Sequence, residues 1–342
     1  MSFAINYKRF EITRRIIWMK VTVVIPNYNG IEYLRECLKS LEEQSFKEFV
    51  TLIVDNCSAD GSREFIKENY PEIRLIEMDK NYGFSIAVNK GIRESRTEYV
   101  ILLNNDTVVH KDYIKELYNH ISSSKRIFSV SSRMISYHDR SVMDDAGDMY
   151  SVVGWAFQRG TGQPVERYDE PCRVFSACAG AAIYRREVFK KIGLFDEMHF
   201  AYLEDIDVGY RARIEGYYNE YCPKALVYHI GSATSGSRYN EFKVRLAARN
   251  SIYLNYKNMP AVQLVLNFLP LLAGTFVKYL FFVKRGFGKV YLEGLREGLC
   301  TFQKCRKVKF KKKNLVNYII IEGELIRNTF LYAKEFFARR NV

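Results

Sequence analysis

Hydrophobic and polar positions follow a repeating pattern between residues 20 and 120. Each short apolar run is followed by a polar cluster, and then by a segment whose apolar residues recur every three or four positions. The apolar runs predict strands and the segments after them predict helices. The predicted strands are Val21–Ile25, Val50–Val54, Ile73–Ile76 and Tyr99–Leu103. Strands that alternate with helices in this way favour right-handed βαβ units and a parallel sheet covered on both faces.

A mostly apolar stretch, residues 261–283, stands out in the C-terminal part of the chain. A helix that crosses a membrane needs about 20 consecutive apolar residues. This stretch is long enough, but it is interrupted by Gln263, Asn267, Pro270 and Lys278. The interruptions favour a helix that lies in the membrane interface or dips into it.

A basic run, Arg306–Lys313, follows the apolar stretch and carries six basic residues in eight positions. Such a run is compatible with a solvated loop, with nucleic-acid binding, or with attraction to anionic lipids. No recognisable nucleic-acid module accompanies it, so we expect no nucleic-acid partner. Its position beside the apolar stretch favours association with the cytoplasmic face of the cell membrane.

Composition narrows the class of protein only a little. A length of 342 residues allows one large domain or two smaller ones. With 48% hydrophobic and 27% charged residues, the chain is not wholly disordered. Its seven cysteines show no zinc-ligand spacing, which favours reduced thiols in the cytosol. Residues 1–18 lack the features of a cleavable signal, and we assign them no function.

Polar residues cluster where each predicted strand ends, and ligands of open α/β sheets bind at that edge. The clusters are Asn27/Tyr28/Asn29, Asp55/Asp60, Asp79/Lys80/Asn81 and Asn104/Asn105/Asp106. Turn formation and helix capping would account for some of these residues. Several carboxylates in one concave site would also suit a divalent cation and a phosphorylated ligand. The chain has no Gly-x-Gly-x-x-Gly after the first strand and no P-loop motif, which disfavours dinucleotide oxidoreductases and P-loop NTPases.

Six motifs in order over residues 21–250 resemble the family 2 glycosyltransferases with the GT-A fold. They read VVIPNYNG, VDNCSADGS, DKNYGFSIAVNKG, LLNNDT, LEDIDVGYR and YHIGSATSG. LLNNDT and the final Arg249-Asn250 are similar to the rhamnosyltransferase-type branch, which builds bacterial cell-surface polysaccharides. The resemblance implies an α/β fold: a mostly parallel central sheet flanked by helices, with a C-terminal helical extension.

The resemblance and the patterns together suggest how the chain is divided. After the extension of residues 1–18, a glycosyltransferase domain is expected over residues 19–255. Its nucleotide-sugar-binding half would be residues 19–120, and its acceptor and catalytic half residues 121–255. Residues 256–342 would form the helical, membrane-associating region.

The resemblance also implies which residues bind the donor. Pro26 and Tyr28 would line the base pocket of a nucleoside-diphosphate sugar, with UDP- or dTDP-sugars expected. The donor-binding residues would also include Asn29, Asn104 and Asn105. Asp55 would accept a hydrogen bond from the pyrimidine ring, and Asn81 would lie beside the nucleotide.

The resemblance implies a divalent cation, Mg²⁺ or Mn²⁺, at its fourth motif, LLNNDT. Asn104, Asn105 and Asp106 stand where the family carries an Asp-x-Asp motif, and this chain departs from it by having Asn first. Asp106 would remain as the carboxylate ligand, since oxygen ligands suit such hard ions. His229 matches a position that in some members approaches the metal or diphosphate, and a purely structural histidine is the alternative.

The general base is implied at the acidic segment that begins with Glu204. Asp205 would take the proton from the acceptor hydroxyl, with Glu204 as the alternative base. Attack opposite the leaving group would invert the anomeric carbon. Acidic residues in a first helical turn are also favoured by the helix dipole alone.

Further residues remain ambiguous at the level of sequence. Asp144, Asp145 and Trp155 are compatible with acceptor-sugar stacking, or with a flexible loop whose tryptophan is anchored in the core. Several arginines, Arg185 and Arg249 among them, would suit a pyrophosphate.

The leading hypothesis is an inverting hexosyltransferase with a lipid-linked or polysaccharide acceptor, rhamnose being the favoured sugar. A non-catalytic binding subunit of a membrane assembly, motivated by Asn104, and a nucleotidyltransferase are the alternatives. The oligomeric state is not indicated by the sequence.

Overall fold

The computed structural model describes residues 19–231 and 239–338. The N-terminal extension, residues 1–18, lies outside them, as does the end of the YHIGSATSG motif. Statements about structure below concern the described residues.

The N-terminal half is a run of four βα units, as the hydrophobic pattern predicts. Its strands are β1 (Val21–Asn27), β2 (Phe49–Asp55), β3 (Arg74–Glu77) and β4 (Tyr99–Leu103). Its helices are α1 (Ile31–Glu42), α2 (Ser62–Asn69), α3 (Phe84–Glu94) and α4 (Tyr113–Ser122). β1 pairs in parallel with β2 and β4, and β2 pairs in parallel with β3. The polar clusters after these strands therefore meet at one edge of the sheet, with Asn27 directly opposite Asp55.

The second half extends the same sheet with a mixture of directions. Its strands are β5 (Thr107–Val109), β6 (Ile127–Ser136), β7 (Met143–Asp145), β8 (Asp148–Tyr150), β9 (Ala156–Gln158), β10 (Cys172–Val174), β11 (Ala181–Arg185) and β12 (Tyr218–His229). The strand order is β10-β12-β6-β11-β4-β1-β2-β3, with β5 on β12 and β7 on β6. β11 runs antiparallel to both β4 and β6, whereas β12 runs parallel to β6. The sheet is therefore parallel in its N-terminal half and mixed in its other half.

Two short helices belong to the second half: α5 (Arg186–Ile192) and α6 (Glu204–Ile214). Residues 177–180, which are mostly alanine and glycine, form a turn, and the chain enters the sheet at Ala181. In that turn the Ala181 N–H donates to the Cys178 carbonyl over 3.2 Å.

The C-terminal region is helical, as predicted. Its helices are α7 (Glu241–Asn258), α8 (Ala261–Leu266), α9 (Phe268–Val283), α10 (Gly288–Thr301) and α11 (Leu315–Ala338). The apolar stretch is divided at Asn267, whose buried amide donates to Glu322 of α11 over 2.9 Å. Within residues 19–231 and 239–338, none of the helices is both long enough and apolar enough to cross a membrane.

The core lies on both faces of the sheet. α1 and α4 cover one face with buried residues such as Leu38 and Leu117, and α3 and α6 cover the other. Gly91 allows α3 to approach β1 closely, since a Cβ there would lie 2.2 Å from a methyl group of Val24. Each fully buried apolar side chain, such as Leu38 or Leu117, stabilises the fold by about 1.5–3 kcal/mol. The packed sheet thus fixes the edge where the strand ends meet.

Candidate active site

A buried hydrogen-bond network joins the ends of three strands at this edge. The Asn27 amide donates to Asp55 over 2.9 Å and to the Ser58 hydroxyl over 3.2 Å. Asn105, after β4, donates to the Asn27 side-chain oxygen over 2.7 Å. Asp55 is fully buried and also accepts from the Ser58 N–H over 2.8 Å. The network orients the loops that follow β1, β2 and β4, and an Asp55 contact to a nucleotide base stays a prediction.

The remaining predicted donor residues lie along the same edge. Pro26 and Tyr28 are half-buried, and Asn29 and Asn81 are exposed. Asn29 has a left-handed backbone, φ 48°, and its side-chain oxygen accepts from the Ala59 N–H over 2.8 Å. The geometry brings these side chains together at one crevice, and their roles in binding a nucleotide stay predictions.

Asp106 and His229 meet because β12 pairs with β5, which places His229 opposite Thr107. His229 Nε2 lies 3.5 Å from Asp106, and Nδ1 lies 2.7 Å from Asp144. Burial lowers the pKa of His229, but the two carboxylates outweigh it and raise that pKa to about 10. Asp106 and His229 form a donor set that fits a divalent cation once the imidazole releases a proton, because only the neutral ring is a metal ligand. Asp144, predicted only as an acceptor-site candidate, orients the histidine from its other nitrogen.

Asn104, which replaces the first acidic residue of the family motif, faces the turn before β11. A Cβ on Gly180 would lie 3.0 Å from the Asn104 amide nitrogen. The Asn104 N–H donates to the Gly180 carbonyl over 2.8 Å. Asn104 therefore connects the loop that carries Asp106 to the segment that leads from Cys178 into β11.

Asp205 occupies the first turn of α6 and is half-buried. One of its carboxylate oxygens accepts from the Ile206 N–H over 2.7 Å. Burial raises the pKa of Asp205, and hydrogen bonds from Ile206, Asp148 and Ala179 lower it by less. A raised pKa places a carboxylate closer to the range in which it accepts a proton efficiently.

A buried acidic cluster surrounds Asp205, formed by Asp145, Asp148 and the Cys178 thiol. One carboxylate oxygen each of Asp145 and Asp148 and the Cys178 sulfur lie within 4.8 Å of one another. One oxygen each of Asp145 and Asp148 has no hydrogen-bond partner among the described residues. Burial, together with mutual repulsion, raises the pKa of Asp145 to about 7 and that of Asp148 well above its usual range. Sequence reasoning missed Asp148, although three aspartates in five positions of this segment were a usable signal.

Glu204, the alternative base, is buried beside Asp205 at the start of α6. One of its carboxylate oxygens has no hydrogen-bond partner in the part of the chain that is described. Burial and the neighbouring Asp205 raise the pKa of Glu204 well above its usual range.

Asp207, the third acidic residue of the segment that begins at Glu204, pairs with basic side chains and is not part of the acidic cluster. It is fully buried, 2.8 Å from Arg211 and 2.9 Å from Lys257, and it accepts from the Asn258 amide over 2.8 Å. Despite the opposing effect of its burial, Arg211 and Lys257 hold the pKa of Asp207 far below its usual range. Asp207 therefore fastens α6 to α7.

The loop before α6 has an unusual backbone. Phe200, Tyr202 and Leu203 all have a left-handed φ, at 64°, 71° and 66°. Non-glycine residues pay for this conformation in strain, so surrounding contacts must hold it. The buried Asn250 amide donates to the carbonyls of Ala201 and Tyr202 over 2.9 and 2.8 Å, and to one further carbonyl of the loop. The sequence indicated Asn250 only as part of the resemblance to the rhamnosyltransferase-type branch, and its hydrogen bonds to this loop were not predicted.

The loop also contacts the start of α3, close in sequence to the predicted donor residue Asn81. The Ser85 N–H at the start of α3 donates to the Phe200 carbonyl over 3.1 Å. Gly83, with φ 84°, allows this approach, because a Cβ there would lie 2.6 Å from the Phe200 ring. The segment that carries Asn81 and the segment that carries Asp205 are thus in direct contact.

Other ambiguous side chains have structural contacts. The indole N–H of Trp155 donates to the Gly274 carbonyl of α9 over 3.0 Å, and its ring contacts Tyr332. Arg185 is buried and donates to backbone carbonyls, Ile121 among them. Arg249 pairs with Glu297 over 3.1 Å and donates to the loop before α6. These contacts favour anchoring roles over sugar stacking or pyrophosphate binding.

Comparison with known proteins places this site in a family. The family description Glycosyl transferase family 2 matches residues 22–193. The N-acetylglucosaminyl-diphospho-decaprenol L-rhamnosyltransferase of Mycobacterium tuberculosis is 28% identical over 237 residues, which cover 63% of this chain and 77% of that protein.

Two solved structures share the architecture. GalNAc-T7 with UDP, GalNAc and Mn²⁺ has a TM-score of 0.57 at 16% identity, covering 70% of this chain and 48% of that chain. The mannosyltransferase PcManGT from Pyrobaculum calidifontis with GDP-Man and Mn²⁺ has a TM-score of 0.53 at 15% identity, covering 82% and 87%. At such identities the likeness concerns the fold, and it confirms the expected GT-A architecture.

Proposed function

This chain belongs to glycosyl transferase family 2, and from that premise we propose an inverting, metal-assisted transfer. A sugar, with rhamnose favoured, moves from a nucleoside-diphosphate sugar to a lipid-linked or polysaccharide acceptor in cell-surface glycan synthesis. The reaction takes place at the cytoplasmic face of the cell membrane.

One observation carries the proposal. A candidate cation site, Asp106 with His229, and a candidate base, Asp205, are linked by the acidic segment Asp144–Asp148. Asp144 contacts His229 over 2.7 Å. Asp148 is linked to Asp205 through Ser176, whose carbonyl accepts from the Asp148 N–H and whose hydroxyl donates to the Asp205 carbonyl. One continuous site would then bind the diphosphate near Asp106 and His229 and the acceptor hydroxyl near Asp205.

The chemistry follows from these positions. Asp205 takes the proton of the acceptor hydroxyl while that oxygen attacks the anomeric carbon, and the bond to the diphosphate oxygen breaks. A divalent cation held by Asp106 and His229 would offset the negative charge on the leaving diphosphate. Attack from the face opposite the leaving group inverts the anomeric carbon.

The comparisons support the donor and acceptor classes. The two neighbouring structures hold UDP or GDP-Man together with Mn²⁺, and the mycobacterial relative is named for a rhamnosyl transfer and a diphospho-decaprenol acceptor. We therefore propose Mn²⁺ or Mg²⁺ as the cation and a UDP- or dTDP-sugar as the donor.

The two alternative functions have less support. Membership of a glycosyltransferase family disfavours a nucleotidyltransferase. A non-catalytic binding subunit was suggested by Asn104, but Asp106 and Asp205 both retain the carboxylates that the transfer requires.

Thermal unfolding with nucleotides tests the donor site. UDP, dTDP, GDP, CDP and ADP are each added with and without Mn²⁺, because a ligand that binds only the folded state raises the midpoint. We expect a Mn²⁺-dependent rise with UDP or dTDP. Asp106→Asn should remove the Mn²⁺ dependence, whereas Asp139→Asn on an exposed loop should leave it intact. No rise with any nucleotide would oppose the proposal and favour the binding subunit.

A further inference from the structure

Three C-terminal helices expose an unusual amount of apolar surface. We define the apolar face as the exposed apolar side chains of α8, α9 and α11. They include Val262, Val265, Leu269, Phe276, Val316, Ile319 and Phe330. Val262 is 82% exposed, and Leu269 and Phe330 are each 72% exposed. Soluble monomers rarely expose contiguous apolar patches of this kind without a binding role.

The three helices are fixed to one another, so the face moves as a unit. Gln263 of α8 and Asn267 at the α8–α9 junction both donate to Glu322 of α11, over 2.7 and 2.9 Å. α9 and α11 also share the turn of residues 151–155. Trp155 donates to α9, and the Val152 N–H donates to the Leu325 carbonyl of α11 over 3.0 Å.

α11 is apolar on both sides, which an ordinary surface helix is not. Its inward side buries Tyr318, Ile321 and Leu325 in the protein core. Its outward side presents Ile319 and Phe330, among others, to the surroundings. The outward side therefore requires a second apolar environment.

The exposed charges of α8, α9 and α11 are positive, whereas the α11 glutamates Glu322, Glu324 and Glu335 are buried or half-buried. No acidic residue occurs between Glu241 and Glu293 or between Glu297 and Glu322. The run Arg306–Lys313, which leads into α11, is mostly exposed. The formal net charge of the chain is +13. A partner with an apolar interior and an anionic surface matches both properties, and anionic bilayers have this composition.

We propose that the apolar face inserts into one leaflet of an anionic lipid bilayer, with the basic run against the headgroups. The turn of residues 151–155 that supports the face directly follows β8, in which the Asp148 N–H donates to the Ser176 carbonyl over 3.0 Å. The Ser176 hydroxyl in turn donates to the Asp205 carbonyl. The acceptor side of the proposed active site is thereby tied to the lipid-facing helices. Insofar as the proposed function holds, this arrangement presents a membrane-anchored acceptor to Asp205.

Co-sedimentation of the full chain with vesicles tests the proposal. Vesicles of phosphatidylcholine alone are compared with equal mixtures of phosphatidylcholine and anionic phosphatidylglycerol. We expect tight binding to the mixture and weaker binding to the neutral vesicles. The measurement uses neither donor nor acceptor, so its failure and failure of the proposed function are distinguishable.

Two sets of variants separate the electrostatic and apolar contributions. Lys309→Gln/Lys312→Gln/Lys313→Gln should weaken binding to the anionic vesicles on the order of 100-fold, since each lysine near such a surface adds about fivefold. The matched control, Lys39→Gln/Lys111→Gln/Lys115→Gln, changes exposed lysines of the nucleotide-binding half and should bind like the wild type.

The apolar contribution is tested by Leu269→Asp/Phe330→Asp. Both residues are largely exposed, so the thermal midpoint should be unchanged while binding to both kinds of vesicle is lost. Wild-type protein that stays in the supernatant, or a control triple variant as weak as the test triple, would overturn the proposal. So would a stable dimer in light scattering that Leu269→Asp/Phe330→Asp dissociates, because a second copy would then cover the face.

Discussion

Asp205 and Asp207 lie two positions apart on α6, yet their surroundings give them opposite properties. Asp205 lies beside other carboxyl groups, and burial raises its pKa. Asp207 lies between Arg211 and Lys257, which hold its pKa low. One acidic motif thus supplies both a candidate proton acceptor and a structural ion pair.

The ion pair leads to a prediction about stability. Asp207→Asn should lower the free energy of unfolding by about 3–5 kcal/mol, because it leaves Arg211 and Lys257 buried without their carboxylate. Urea unfolding measures the change. The exposed-loop variant Asp139→Asn should change stability by less than about 0.5 kcal/mol, and equal effects of the two would show that Asp207 is not a structural anchor.

The carboxyl cluster leads to a prediction about pH. Asp205 must be ionised to accept a proton, so kcat/KM should fall as the pH drops through its raised pKa, above the range of an ordinary aspartate. Asp148→Ala removes a hydrogen bond that lowers this pKa and should shift the acidic limb to higher pH. Asp148→Asn keeps a donor and should leave the limb nearly in place. Profiles that coincide for Ala and Asn would contradict the predicted contact.

At the level of residues, functional side chains at the end of a strand or helix could be predicted from the sequence. Contacts between segments far apart in the chain could not. Asp106 and Asp205 were identifiable because each belongs to a short motif at the end of an element. The contacts of Asp144 with His229 and of Asp148 with Asp205 join segments 85 and 57 positions apart, and nothing local in the sequence indicates them.

The strained loop before α6 is the element that positions Asp205. Its left-handed residues hold their conformation because Asn250, on α7, donates to three of its carbonyls. α7 packs in turn against α10, where Arg249 meets Glu297. The position of the candidate base therefore depends on the C-terminal helices as well as on the sheet.

Asn250→Ala tests this dependence. The loop would relax without its three hydrogen bonds, and we expect kcat to fall on the order of 10²-fold, as misplaced catalytic groups do. Asn250→Asp should be at least as damaging, since a carboxylate repels the carbonyl oxygens. Donor binding, measured by the nucleotide-induced thermal shift, should persist in both variants.

Asn69→Ala, which removes one exposed hydrogen bond at the end of α2, is the matched control and should keep its turnover. Wild-type turnover by Asn250→Ala would show that the loop holds its conformation without α7.

Among the elements, the parallel half of the sheet was predictable and the mixed half was not. Continuous apolar strands followed by amphipathic helices indicate β1 to β4 directly. The antiparallel insertion of β11 between β4 and β6 depends on tertiary pairing. The break at Asn267 is indicated locally by Pro270, which has no N–H to donate to the Leu266 carbonyl. The contact of Asn267 with Glu322, 55 residues away, could not be predicted.

At the scale of the whole molecule, three surfaces converge on one edge. The parallel half supplies the proposed donor crevice, the mixed half supplies Asp205 and the acidic cluster, and the C-terminal helices carry the apolar face. The turn of residues 151–155 connects the last two. A transferase that joins a soluble donor to a membrane-anchored acceptor would need this arrangement.

The most direct test of the account is sugar transfer by wild type and Asp205→Asn. The donor is the nucleotide sugar whose nucleotide stabilises the protein, and the acceptor is an N-acetylglucosaminyl-diphospho-polyprenol. We expect wild-type turnover, and a loss of about 10²–10⁴-fold in Asp205→Asn with the donor-induced thermal shift unchanged. Equal turnover by the two proteins would remove Asp205 as the base and contradict the proposed mechanism.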